Sequence, residues 1–317
     1  MFVYILKRLG MSVIVLLIVM VFLSLLVQLV PGDAATALLG PRATEELVAK
    51  VRSQMELDQP VYIQVAHFVW NTLHGDFGND FWSGRPISQY IGDVLPHTIA
   101  LALSSLGLAI FLGIPLGVFS ATHPNSWLDR FLAVVSISFI TLPSYVSALF
   151  LLYIFAVNLK VLPAMGVGEP GDTLDYLRHL VLPSIAMAIP WIGYLARLVR
   201  TSILEILNTN YIRVVRSFGL HDRVIFYKYA LKNAIIPTVA VLGLGLGGLM
   251  GGAMFIEIIF ARPGMGSFIY NAIGARNYPM VRAGVLVIGF IFVAANLLAD
   301  ITYSWLDPRI QLGESKG

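Results

Sequence analysis

Residues 9–30 read LGMSVIVLLIVMVFLSLLVQLV, and no side chain in this stretch is ionisable. A helix needs about 20 apolar residues to cross the hydrocarbon core of a bilayer, so the segment is long enough to span it. Lys7 and Arg8 precede it, as basic residues precede a secretory signal. The apolar part of such a signal runs only about 7–15 residues, which favours a membrane anchor over a cleaved leader. The whole chain has the same character: 57% of its 317 residues are hydrophobic and 12% are charged. An ordinary globular domain is about 25% charged, and a surface this poor in charge implies that lipid forms part of the solvent.

Further apolar stretches cover 98–120, 131–157, 181–199, 235–260 and 283–306. With 9–30 they predict an all-α polytopic membrane protein of six transmembrane helices, with both termini on one side. Pro115, Pro143 and Pro190 fall inside these spans. Membrane helices tolerate proline where neighbouring helices re-satisfy the freed carbonyls.

Orientation follows from the distribution of Lys and Arg. Segments on the N-terminal side hold Lys7, Arg8, Arg130, Arg197, Arg200 and the basic residues of 210–237, with few acids among them. On the opposite side Asp and Glu outnumber Lys and Arg. Both termini are therefore expected in the cytoplasm. The chain reads as one transmembrane domain over 1–317: a first span at 1–30, an extracytoplasmic loop at 31–97, a five-helix core at 98–306, and a cytoplasmic loop at 203–234. Within 31–97, Leu47, Val51 and Met55 share one helical face, as do Val61, Val65, Phe68 and Val69. They predict a helical extracytoplasmic cap between the first and second spans.

The cytoplasmic loop contains NYIRVVRSFGLHDRVIFYKYALKNAIIP at 210–237, with Arg213, Arg216, Arg223, Lys228 and Lys232. Tyr211, Val214, Val215 and Phe218 fall at i, i+3, i+4 and i+7 and share a helix face. Gly219 follows where a helix C-terminus favours positive φ. Asp222 is placed to cap a second helix starting at Arg223, with Val224, Tyr227 and Leu231 on one face. A helix–turn–helix results. Three roles fit it: a basic anchor for lipid headgroups, a DNA reader, and a docking element for a cytoplasmic partner. Tethering to the bilayer at both ends disfavours DNA, and no nucleic-acid partner is expected.

This loop resembles the cytoplasmic loop of the permease subunits of ABC importers, whose pattern is Glu-Ala-Ala, three residues, then Gly. Here Arg213-Val214-Val215, Arg216-Ser217-Phe218 and Gly219 occupy that frame, though the triplet departs from the consensus. Lys232 stands where the general pattern has proline, and the run from Lys228 to Pro237 is similar to the dipeptide/oligopeptide/nickel permease branch. So are the segments Ile5–Leu9, Val30–Asp33, Gly75–Gly78 and Asp307–Arg309. The resemblance implies a bacterial inner-membrane permease subunit of a binding-protein-dependent importer of peptides or a related small solute. Its implied partners are a second homologous permease, two ABC ATPase subunits that use ATP and Mg²⁺, and an extracytoplasmic solute-binding protein. It also implies that Tyr211, Arg213, Val214, Val215, Arg216, Phe218, Gly219 and Leu220 form the ATPase-coupling element, with Val214, Val215 and Phe218 as apolar anchors.

No phosphate-cradling GxxxxGK[ST] loop is present, so ATP is expected on separate chains and no cofactor on this one. The chain has no cysteine. His67 and His74 are spaced to share a helix face but lack a third ligand, and no metal site is expected. Gly266-Ser267 has no membrane-depth histidine to activate it, which disfavours a serine hydrolase, and no catalytic residue is expected. A secondary carrier working alone is the other alternative. It predicts an inverted repeat and mid-membrane ionisable groups, and the sequence has neither.

Polar groups inside spans are functional candidates by default. Glu257, Asn296 and Asp300 are therefore candidates for the translocation path or its gate. Glu257 has a structural alternative in pairing with Arg262 or a neighbouring chain, and Asp300 in its closeness to the cytoplasmic interface. Gly243, Gly245, Gly247, Gly248, Gly251 and Gly252 crowd the fifth span and predict close helix packing there.

Overall fold

The computed structural model describes residues 2–29, 36, 39–40, 43–54 and 58–306. The motifs Val30–Asp33 and Asp307–Arg309, and Met55 of the expected cap, lie outside the described residues. The secondary structure is helical: α1 Phe2–Leu29, α2 Glu45–Gln54, α3 Val61–Leu73, α4 Ile87–Thr122, α5 Trp127–Thr141 and α6 Ser144–Leu151. A π-helical turn, Leu152–Asn158, continues α6. Then follow α7 Thr173–Leu207, α8 Asn210–Ser217, α9 Asp222–Val224, a second π-helical turn Ile225–Ala230, α10 Leu231–Ala234, α11 Ile236–Ile259, α12 Met265–Gly274 and α13 Tyr278–Leu306.

Five helices are long and apolar enough to cross a membrane, and a sixth span exists if a bent pair is counted as one. The bent pair corrects the unbroken helix expected over 131–157. It joins α5 to α6 and its continuation through a bend of 101°. Leu142 takes an extended conformation with ψ 115°, and Pro143 precedes α6. The ring of a proline disfavours helical backbone in the residue before it, so the break falls where the sequence places Pro143. Pro183 and Pro190 both lie inside α7, which continues through them.

Among the described residues the chain divides into two compact units: Ile99–Arg262 with 294–306, and Phe2–Thr98 with Pro263–Val293. In the first, α7 is the organising helix. Its N-terminus is capped by Asp172, whose side chain accepts from the amides of Leu174 and Asp175. It packs on α5, α6 and α11. Close approach is made by small residues. A Cβ added to Gly117 of α4 would lie 2.5 Å from the Ala196 carbonyl oxygen of α7. One added to Gly193 of α7 would lie 2.5 Å from the Ser136 carbonyl oxygen of α5. Gly113, one turn before Gly117, sits over Ile192 and Leu195. Hydroxyls link α4 and α6 to α7: Ser104 and Ser184 lie 2.6 Å apart, and Ser147 donates to the Ala186 carbonyl at 3.0 Å.

The second unit gathers α1, α2, α3, the first turns of α4, α12 and most of α13. Its core is Ile87, Ile91, Met265, Phe268, Ile269 and Ala283. The Met265 amide donates to Thr98 Oγ1 at 2.8 Å, fixing the start of α12 against α4. Ser267 bonds both the amide and the carbonyl of Gly264, so it serves as a helix cap, a structural use for the hydroxyl considered above as a nucleophile. Asp80 is buried and accepts from Ser83, from the Ser83 amide and from Asn277. Burial works against its ionisation, and hydrogen bonds from Ser83, Trp82 and Asn277 outweigh it, so its pKa lies below the usual carboxylate range.

Candidate coupling loop and buried polar groups

The loop after α7 forms the expected helix, turn and helix. Gly219 has φ +72°, a left-handed conformation that glycine adopts without steric cost. Its amide donates to the Arg216 carbonyl at 3.0 Å, closing α8. The second helix begins one residue earlier than the sequence suggests. His221, rather than Asp222, is its cap, accepting from the Arg223 amide through Nδ1 at 3.2 Å.

The faces of α8 need a sharper division than apolar periodicity supplies. Ile212 and Val215 point inward, where they pack with Ile225 and Ala230. Tyr211, Val214 and Phe218 point outward, 47%, 56% and 76% exposed. Val215 is thus a core residue of the loop, separate from the other three members of the face assigned from spacing. Arg213 and Arg216 are exposed, and Leu220 is 38% exposed. After the turn, Val224 and Tyr227 are exposed while Ile225, Phe226 and Ala230 are buried. Phe226 and Ala234 enter a cluster with Ala121 of α4 and Val199 and Ile203 of α7. The loop is seated on the ends of α4 and α7 through one face and leaves Val214 and Phe218 bare on the next, with the Tyr211 ring against Tyr229.

Of the polar candidates, Glu257 is buried at the end of α11. Its charge supports that of Arg262, five residues on, which is also buried. Burial lowers the Arg262 pKa, while Tyr176 and Glu257 favour its charged form. The Arg262 guanidinium also donates to the carbonyls of Gly166 and His179 at 3.4 and 3.3 Å. Asn296 and Asp300 lie one turn apart on α13, both half-buried. Asn296 Oδ1 is buried and accepts no hydrogen bond among the described residues.

The glycines of α11 divide. A Cβ on Gly243 would collide with that of Ala299 on α13, and one on Gly245 would lie 2.8 Å from the Trp191 ring. Gly248 meets that ring only at 3.8 Å, and Gly247 is buried. Gly251 and Gly252 are exposed and have nothing within 4 Å of an added Cβ. His67 and His74 are both exposed, and the His74 ring packs on Trp70 and lies 2.8 Å from its carbonyl.

Sequence reasoning missed Asp129. It is buried at the start of α5, and Arg200 of α7 donates to both its carboxylate oxygens, at 2.7 and 2.8 Å. Asp129 is a rare acid among the basic residues expected on the cytoplasmic side, and that contrast was the available signal.

Residues 113–312 match the family described as binding-protein-dependent transport system inner membrane component, and residues 1–102 match its N-terminal component. The chain belongs to this family. It is an inner-membrane permease component of an ABC transporter and is not itself catalytic. The permease is 38% identical over 310 residues to the probable D,D-dipeptide transport system permease protein DdpB of Escherichia coli (strain K12), covering 90% of this chain and 91% of that one. It is 34% identical over 308 residues to the glutathione transport system permease protein GsiC of Salmonella typhimurium (strain LT2), covering 97% and 98%. Among solved structures, an inward-facing MetNI methionine ABC transporter aligns with TM-score 0.55 over 69% of this permease and 97% of that chain. At 19% identity the likeness is one of fold.

Proposed function

We propose that the permease imports di- or oligopeptides, or a closely related small solute, together with a second homologous permease. Two ATPase subunits bind ATP and Mg²⁺, and an extracytoplasmic binding protein delivers the solute. The D,D-dipeptide and glutathione names of its relatives support a peptide-like cargo. The excess of Lys and Arg in 203–234 supports a cytoplasmic position for that loop and for both termini. Helices α2 and α3 then form the outer cap on which the binding protein docks.

Coupling is assigned to α8 and Gly219. The observation that carries it is the exposed face of Tyr211, Val214 and Phe218, adjoining the Ile212–Val215 face that is used in seating the loop. Apolar groups held out on a short, seated helix suit a groove on a soluble partner. Arg213, Arg216 and Leu220 border that face. Asn296 and Asp300 are the groups retained for the path, whereas Glu257 supports Arg262. Gly251 and Gly252 leave a smooth strip of α11 for the second permease or the path itself.

The test is uptake of labelled alanyl-alanine into vesicles holding both permeases and both ATPases, with the binding protein added. Import that needs ATP and the binding protein supports the proposal. Import by this permease alone without ATP contradicts it.

A further inference from the structure

We propose that Asp129 and Arg200 are the positioning pair that makes the cytoplasmic ends of α4, α5 and α7 move as one block with the coupling loop. The inference rests on the coupling role assigned to that loop.

Asp129 is only 3% exposed, and its carboxylate is saturated. A carboxylate offers roughly four lone-pair sites. Here Ser120 Oγ at the end of α4 donates to Oδ1, and the Asn125 amide donates to Oδ2 at 2.9 Å. Arg200 supplies the parallel pair through Nε and Nη2. Helix capping is handled separately, because Ser126 Oγ accepts from the Asp129 amide. The carboxylate is therefore committed to joining three segments rather than to ending one helix.

Those segments lead directly to the loop. Ser120 adjoins Ala121, and Arg200 adjoins Val199. Ala121 and Val199 are members of the cluster that receives Phe226 and Ala234 from the loop. Among the described residues, α5 contributes nothing to that cluster. Its inner end is tied to the loop-bearing helices through Asp129. Deeper along the same pair of helices, Gly193 of α7 presses on the Ser136 backbone of α5. Two attachments along one helix pair set an orientation, where a single one leaves a pivot. The ion pair and the glycine contact thus carry a displacement of the loop into α5 without slippage. A bidentate arginine–carboxylate pair suits this use because its geometry is planar and directional.

The test uses the full complex in vesicles and labelled alanyl-alanine. Asp129→Asn should retain both ATPases and hydrolyse ATP at a rate close to wild type, yet import at least about tenfold more slowly, as expected for a lost coupling interaction. The natural absence of cysteine permits a second variant, Asp129→Cys/Arg200→Cys. It should import slowly until a short bifunctional thiol reagent bridges the two positions, then recover. Wild-type import by Asp129→Asn, its release of the ATPases, or failure of the bridge to restore import would each overturn the pair's role. Failure of the docking assignment is read separately, as unchanged ATPase retention and coupling by Phe218→Asp.

Discussion

Asn277 donates through Nδ2 to Oδ1 of Asp80 at 2.6 Å, joining the turn after α12 to the loop before α4. Both side chains are buried. Replacing Asn277 with Leu leaves a buried carboxylate short of one charge-assisted hydrogen bond, at a cost of about 2 kcal/mol. The 76–86 loop should then be cut by protease faster than in wild type, while α8 still binds the ATPase. An unchanged cleavage rate would show that Ser83 and the loop backbone hold Asp80 without Asn277.

The same carboxylate gives the loop an acid sensitivity. The folded Asp80 pKa lies below its unfolded value, so its contribution to stability is complete above that unfolded value, about 3.9, and is lost as pH falls through the folded value. Protease cleavage of the 76–86 loop should rise below about pH 4 in wild type. It should show a weaker acid response in Asp80→Asn, whose side chain does not titrate in that range.

Glycines that look alike in sequence differ in what they permit. Gly117→Ala would force α4 off the Ala196 carbonyl, and overpacking of this kind costs about 1–3 kcal/mol. Gly251→Ala has open space and should leave the melting temperature of the isolated permease unchanged. Melting in detergent checks both. Equal losses would mean that the α4–α7 approach is looser than described.

Gly219 is constrained by its backbone rather than by neighbours, because nothing lies within 4 Å of an added Cβ. A non-glycine residue held in left-handed backbone costs about 1–2 kcal/mol, least for Asn and more for a β-branched residue. Gly219→Val should therefore insert normally but hydrolyse ATP without matching import, and Gly219→Asn should retain most coupling. Full import by Gly219→Val would count against the turn as a coupling element.

Much of this organisation was legible in the residues. Long uncharged runs such as 9–30 mark spans because nothing else tolerates them, and the positive φ at Gly219 followed from glycine after a short amphipathic helix. The bend at Pro143 is not legible from the sequence alone. A proline inside a span is compatible with either a continued helix, as at Pro190, or a break, and the neighbours that decide are distant in sequence. Apolar periodicity located α8 but put Val215 on the wrong face, because Ile212 with Val215 and Tyr211 with Val214 and Phe218 form adjoining stripes. Glycine count pointed to α11, where Gly243 and Gly245 do pack closely, but it gave no sign of the tight approach that Gly113 and Gly117 of α4 make to α7. Asp129 and Arg200 lie 71 positions apart, and no local pattern joins them.

Cross-linking from α8 tests the coupling assignment most directly, because the chain supplies no competing thiol. In the assembled complex, Phe218→Cys carrying a short photoreactive label should cross-link to the ATPase subunit, and Ile212→Cys, buried in the loop core, should not. Efficient labelling of Phe218→Cys with no cross-link to the ATPase would contradict docking through the exposed face.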